Sequence, residues 1–324
     1  MPGISPVRAW WAQRPPAAGA AVMATGIVSL GLHLTGYEVL SLIALALGCV
    51  AWLALAVDFV TGMLRDPARW RAGARTPGTL AAVAATTVLG TRVSVLGRHT
   101  LAAALPALAA VLWPVLLFLV GRNLRPRMSG AVFLICVATE GLAVLGATLA
   151  AAGTTAWLAH TALVLFWLGL ALYLLALTRF DARQVLRGAG DHWVLAGALA
   201  IAALAGAKLI TAESPALYLW NEDDRDVLHT ATVCLLVLDL ACYVVLVIAE
   251  VVRPRPRYDV RRWSTVFPMG MTAAASLSAS AAVGTPWLRG LGQALLWVAV
   301  AAWLAVAAGA VVAARAGIRA AGRA

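Results

Sequence analysis

The chain has 324 residues, of which 62% are hydrophobic and only 12% charged, with a net charge of +11 and a mean hydropathy of +0.88. Soluble domains sit nearer half apolar and a quarter charged, so a soluble globular fold is excluded. The apolar excess comes as repeated runs of about 20 residues, the length that crosses a bilayer core of roughly 30 Å.

Ten membrane spans are predicted, at 16–36, 38–62, 77–97, 100–121, 129–151, 155–178, 191–211, 227–250, 262–283 and 287–314. They leave no room for a soluble domain. Residues 1–324 therefore read as one ten-helix, all-α integral membrane domain, with a short N-terminal tail (1–15) and a C-terminal tail (315–324). The start, "MPGISPVRAWWAQRPP", lacks the apolar core and small-residue cleavage site of a secretory signal, so the first span is expected to stay. The spans pair into five hairpins, each going out and back, with short turns such as "TGYE" and "AAGTT" and longer basic connections. Repeats of one orientation suggest rotation about an axis normal to the membrane.

The distribution of charge tests a nucleic-acid reading of the basicity. Twenty of the 25 basic residues fall in the two tails and in the connections after spans two, four, six and eight, against only Arg98, Arg225 and Arg289 in the other connections. This positive-inside signature predicts a multi-pass protein of the cell membrane with both termini cytoplasmic. The basicity then reads as topology and contact with anionic lipid, and no nucleic-acid partner is expected.

The two helices of each hairpin differ. In 20-residue windows, the odd spans hold 9 to 13 Gly, Ala, Ser and Thr residues, whereas the even spans hold 5 to 7, except the tenth with 10. Small residues let backbones approach or leave space along an axis, and Leu- and Trp-rich faces suit lipid. The expectation is an inner ring of odd helices inside an outer ring of even ones, with either a lined cavity or a tightly packed centre.

Candidate lining residues on the odd spans are Thr25, Gly26, Ser29, Thr87, Gly90, Thr91, Thr139, Gly141, Gly206, Thr272 and Ser276. Hydroxyls can solvate a passing ion without trapping it; alternatively they satisfy their own backbone carbonyls one turn back. Three ionisable residues, Arg92, Glu140 and Lys208, lie in odd spans. An unpaired charge at the bilayer centre costs about 2.5–3.5 kcal/mol on insertion scales, so each is expected to face water or a partner. Arg92 and Glu140 sit at similar depths on consecutive odd spans. Pairing is the preferred reading, with Lys208 as the remaining attractor of anions; unpaired, Arg92 would relay anions and Glu140 take a proton. Asp239 is expected to turn inward to a hydrogen bond.

The ninth span, "RRWSTVFPMGMTAAASLSAS" (261–280), is mostly small residues past its first turn and keeps one large plug there, Phe267. Pro268 removes a backbone donor and bends the helix, and Gly270 lets a neighbour come close. The four cysteines all fall inside spans, with no disulfide or zinc spacing, and no two histidines share a helix at metal-ligand spacing. The acidic run "NEDDRD" (221–226) stands alone, without a second acidic cluster or phosphate cradle, and reads as a solvated turn. No metal, cofactor or enzymatic constellation is predicted.

Four segments, "VMATGIVSLG" (22–31), "GAVFLICVATEGLAVLGA" (130–147), "DHWVLAGALAIAALAGA" (191–207) and "WSTVFPMGM" (263–271), resemble the tellurite-resistance/C4-dicarboxylate transporter family, relatives of which are yeast malate permeases, fungal sulfite exporters and plant guard-cell slow anion channels. The resemblance implies five helical hairpins in quasi-fivefold arrangement, odd helices around a central pore, and a homotrimer with one pore per protomer. It also implies a pore gate formed by a ninth-span Phe, by position Phe267 beside Pro268 and Gly270. The function implied is transport of small anions, with C4-dicarboxylate such as malate, sulfite, and halide or nitrate as candidates. The alternative is a proton-coupled dicarboxylate carrier with Glu140 as its titrating site.

Overall fold

The computed structural model describes residues 18–97, 99–153, 156–212, 222–255 and 258–321. Ten long helices carry the fold: α1 (Gly19–Leu34), α2 (Glu38–Arg65), α3 (Ala81–Val95), α4 (His99–Gly121), α5 (Leu134–Ala151), α6 (Ala156–Arg179), α7 (Val194–Ala212), α8 (Glu222–Val252), α9 (Trp263–Ala282) and α10 (Trp287–Ala321). Two short helices, Pro67–Ala74 and Gln184–Arg187, lie in the basic connections. The first starts where Asp66 accepts from the Arg69 backbone N–H at 3.0 Å and Pro67 supplies a preset first φ.

The five hairpins repeat one local plan. A 3₁₀ turn precedes each of α3, α5, α7 and α9 (Pro77–Leu80, Gly130–Phe133, Asp191–Trp193 and Val260–Arg262). At the other end, the glycines after α1, α3, α5 and α9 (Gly36, Gly97, Gly153 and Gly284) take positive φ, which stops the helix and reverses the chain. The end of the bundle with these tight turns is called the hairpin end below; the opposite end, with the Arg-rich connections, is the basic end.

The odd helices close a ring: α1 packs on α3, α3 on α5, α5 on α7, α7 on α9, and α9 on α1. Each even helix lies outside, against its own hairpin partner and the odd helix of the next hairpin: α2 on α3, α4 on α5, α6 on α7, α8 on α9 and α10 on α1. Burial follows this plan. In their most apolar stretch the spans of α3, α5 and α7 are 78–94% buried, against 11–33% for the even helices. The exposed faces of the even helices are rows such as Val39, Ile43, Leu47, Val50, Leu53 and Val57, the composition that lipid tails require. Tyr37, Trp157 and Trp287 are exposed at the hairpin end, where aromatic rings favour the membrane interface.

The structure departs from the ten predicted spans in two respects. Among the described residues, eight helices are long and apolar enough to cross a membrane by length and composition; α1 and α9 are the exceptions. The described part of α1 has 16 residues, and α9 is diluted by Ser and Thr. Both are enclosed by other helices rather than by lipid, so neither needs a strongly apolar surface. Helix α10 also runs on to Ala321, through a segment expected to be tail, because "ARAGIRAA" (314–321) is built from good helix formers. Residues 1–15 lie outside the described residues.

Candidate functional site

All five odd helices meet on the ring axis. A space of only about 10 Å3, at the lower limit for one water, is lined by Ile27 and Leu30 of α1, Thr87, Val88 and Thr91 of α3, Gly141 and Val144 of α5, Ile201 and Leu204 of α7, and Met271 of α9. Seven of these ten side chains are bulky and apolar. The axis is therefore a narrow, mostly apolar throat.

Phe267 is 1% exposed and sits one turn toward the basic end from Met271, on the same face of α9. Its ring lies against Gly197 of α7: a Cβ built there would meet Phe267 Cε1 at 3.2 Å and Pro268 Cγ at 2.9 Å. Pro268 cannot donate to the Ser264 carbonyl one turn back, which loosens the helix at this level. Gly270 makes room for Ile27 of the throat, since a Cβ at Gly270 would meet Ile27 Cγ2 at 2.8 Å. The triplet Phe267, Pro268 and Gly270 is thus packed into the ring next to the closure.

The predicted lining residues divide into two sets. Thr87, Thr91 and Gly141 face the axis. The others face neighbouring helices. Thr25 accepts from Trp303 Nε1 at 3.0 Å and Thr139 from Trp113 Nε1 at 2.9 Å, as Thr86 does from Trp52 at 2.9 Å. Each of these Thr hydroxyls also donates to its own backbone one turn back, at 2.7–2.8 Å. Ser29 exchanges hydrogen bonds with Ser41 of α2, Thr272 donates to Asp239 of α8 at 3.1 Å, and Ser276 donates to the Thr272 carbonyl at 2.8 Å. Gly26 packs on Val88 and Leu89, Gly90 on Leu145 and Leu105, and Gly206 on Thr232. The helix period explains the split. With Ile27 and Gly141 on the axis, Thr25, Ser29 and Thr139 are two residues away, about 160° round the helix, and so face outward. Asp239 does turn to a hydrogen bond, as its place in an outer span requires.

The preferred pairing of Arg92 with Glu140 does not form. Arg92, 0% exposed, pairs instead with Glu38, the first residue of α2, and its Nε donates to Ser41 Oγ at 3.0 Å. His33 Nδ1 meets the other Glu38 oxygen at 2.6 Å. The reason is direction: Arg92 points along the α2–α3 seam toward the hairpin end, whereas Glu140 points into the notch left by Gly169 of α6. Glu140 is fully buried, and among the described residues neither of its carboxyl oxygens has a hydrogen-bond partner.

Lys208 opens onto a different space. A cavity of about 490 Å3 at the hairpin end is lined by Leu34, Ala207, Lys208, Thr211, Leu277, Ser278, Ser280, Ala281, Pro286 and Arg289. Leu34 is one turn beyond Leu30, and Lys208 one turn beyond Leu204, so the faces of α1 and α7 that form the throat continue into this vestibule. Among the described residues, no cluster of His, Cys, Asp and Glu could hold a metal ion. The acidic run becomes the start of α8 from Glu222; Asn221 lies outside the described residues.

Sequence reasoning sought hydroxyls on the axis and missed the bulky throat. Its signal was available as Ile27, Leu30 and Leu34, and as Ile201, Leu204 and Lys208, spaced by three and four along one face of each helix. No curated protein matches the chain significantly. The family model described as SLAC1, voltage-dependent anion channel, matches residues 13–311, which takes in all of α1–α9 and most of α10. The chain therefore belongs to the SLAC1 family, the same tellurite-resistance/C4-dicarboxylate transporter family that its segments resemble, whose members move anions across membranes and are not enzymes.

Proposed function

We propose that this protein passes small anions along the axis of the odd-helix ring, through a throat that Phe267 and its apolar neighbours hold shut. The observation that carries this reading is the throat itself, to which every odd helix contributes and from which most of their polar side chains are turned away. A narrow apolar constriction excludes hydrated ions by dewetting, and swinging a ring between staggered rotamers is a small motion that can re-wet it. Thr87 and Thr91 line this stretch, but each hydroxyl donates to its own backbone at 2.9 Å and would have to turn before it could donate to a passing anion. The basic end faces the cytoplasm in this reading, the even helices face lipid, and protomers associate as homotrimers with one pathway each. Malate and other C4-dicarboxylates, sulfite, chloride and nitrate are the candidate substrates.

A second reading, proton-coupled carriage of a dicarboxylate, is favoured by one observation: the Glu140 carboxyl is wholly enclosed, with no partner for either oxygen among the described residues. Purified protein in liposomes separates the two. Downhill flux of chloride, nitrate, sulfite or malate that stops at equilibrium supports the pore. Uphill malate accumulation driven by an imposed pH gradient, and lost in Glu140→Gln, supports the carrier. Absence of flux for every one of these anions overturns both.

A further inference from the structure

We propose that the cavity at the hairpin end is an anion-capture site distinct from the throat, built to hold a small oxyanion with two negative charges between Lys208 and Arg289. The proposal rests on the anion-transport reading and adds a binding site to it. Three features of the cavity carry it.

First, two cations from different helices line one space, Lys208 near the end of α7 and Arg289 in the first turn of α10. Neither has an acidic partner among the described residues, although the other buried cation of the odd helices, Arg92, is paired with Glu38. A lysine held partly buried in a spanning helix without a counter-charge is costly, and a bound anion removes that cost. Second, the hydroxyls are unequally committed. Thr211 donates to the backbone carbonyls of Ala207 and Lys208 at 3.1 and 3.0 Å, so its proton is spent, whereas Ser278 Oγ is buried and has no partner among the described residues. Ser278 therefore offers a free donor to an acceptor in the cavity. Third, size and shape fit a polyatomic ion. At about 490 Å3 the cavity lies within the usual range for small-molecule sites, and Leu34, Ala207, Leu277, Ala281 and Pro286 give it apolar walls. A planar guanidinium holds an oxyanion by two parallel bonds and an ammonium holds one as a point charge, so the pair suits two separated oxyanionic centres better than one halide. The site lies one turn above the throat along the same faces of α1 and α7, so a captured ion waits over the constriction.

Isothermal titration of the purified full chain in detergent with succinate, sulfate, propionate and nitrate tests the site without relying on transport. Succinate or sulfate is expected to bind at least about tenfold more tightly than either monoanion, with the stronger of the two identifying whether a long or compact dianion fits. Lys208→Gln and Arg289→Gln should each weaken dianion binding by about tenfold or more, the usual loss for a charge-assisted hydrogen bond, while Lys208→Arg retains it. Equal binding of monoanions and dianions, or undiminished binding in both Gln variants, overturns the site. Chloride flux through the same preparation in liposomes keeps the two readings apart. Flux without dianion binding overturns the capture site alone. Dianion binding with no flux of any anion overturns the pore and leaves the capture site standing.

Discussion

The odd helices present two faces that treat polarity in opposite ways. Their outward seams hold the polar chemistry: Thr86, Thr139 and Thr25 take indole N–H groups from the outer ring, and Arg92 is locked to Glu38 and Ser41. Their axial face is mostly aliphatic and closed. The difference teaches that hydroxyls on the inner helices of this bundle are chiefly adhesive. Where no water competes, a Thr that both donates and accepts joins one hairpin to the next, and the axis is left lined chiefly by Leu, Ile, Val and Met.

That contrast can be broken or sharpened by substitution. The largest effect is expected at the hairpin end: Glu38→Ala leaves the wholly buried Arg92 guanidinium without its counter-charge and should lower stability more than any other change below, read by denaturant unfolding in micelles. Adding Arg92→Gln should restore part of that loss; strictly additive losses would deny the pair its structural role. Next, Phe267→Ala should raise anion flux by about tenfold, equal to some 1.4 kcal/mol off the barrier. An unchanged flux in a folded variant would move the barrier to the throat proper, where Leu204→Ala and Met271→Ala become the decisive variants. The smallest effect is expected at a seam. Trp113→Phe removes one donor to Thr139 and should cost about 0.5–1.5 kcal/mol of stability with flux unaltered. A change in ion selectivity without loss of stability would put Thr139 back on the axis.

Much of the architecture was legible in the residues. The alternation of slim and bulky spans announced the two rings because average composition reports whether a helix meets protein or lipid, and ten runs punctuated by Gly, Pro and Arg gave the hairpins. Which way each side chain points was not legible, because that depends on partners far along the chain. Thr25 is turned outward by Trp303, which no local pattern near Thr25 reveals. Arg92 found its counter-charge in Glu38, a residue that reads from sequence as part of an exposed turn, "TGYE", and not as the anchor of a buried cation. The vestibule escaped notice for the same reason: Arg289 is near Lys208 only because α10 begins beside the end of α7.

The hydrogen bond from Trp303 to Thr25 joins residues 278 apart and ties the last hairpin to the first. It belongs to the same closing join as the packing of α9 on α1, whereas the other four joins of the ring link hairpins adjacent in the chain. The inner ring is thus a crescent in chain order that becomes a circle only where α9 meets α1, and the axial throat straddles that join, with Met271 on one side and Ile27 and Leu30 on the other.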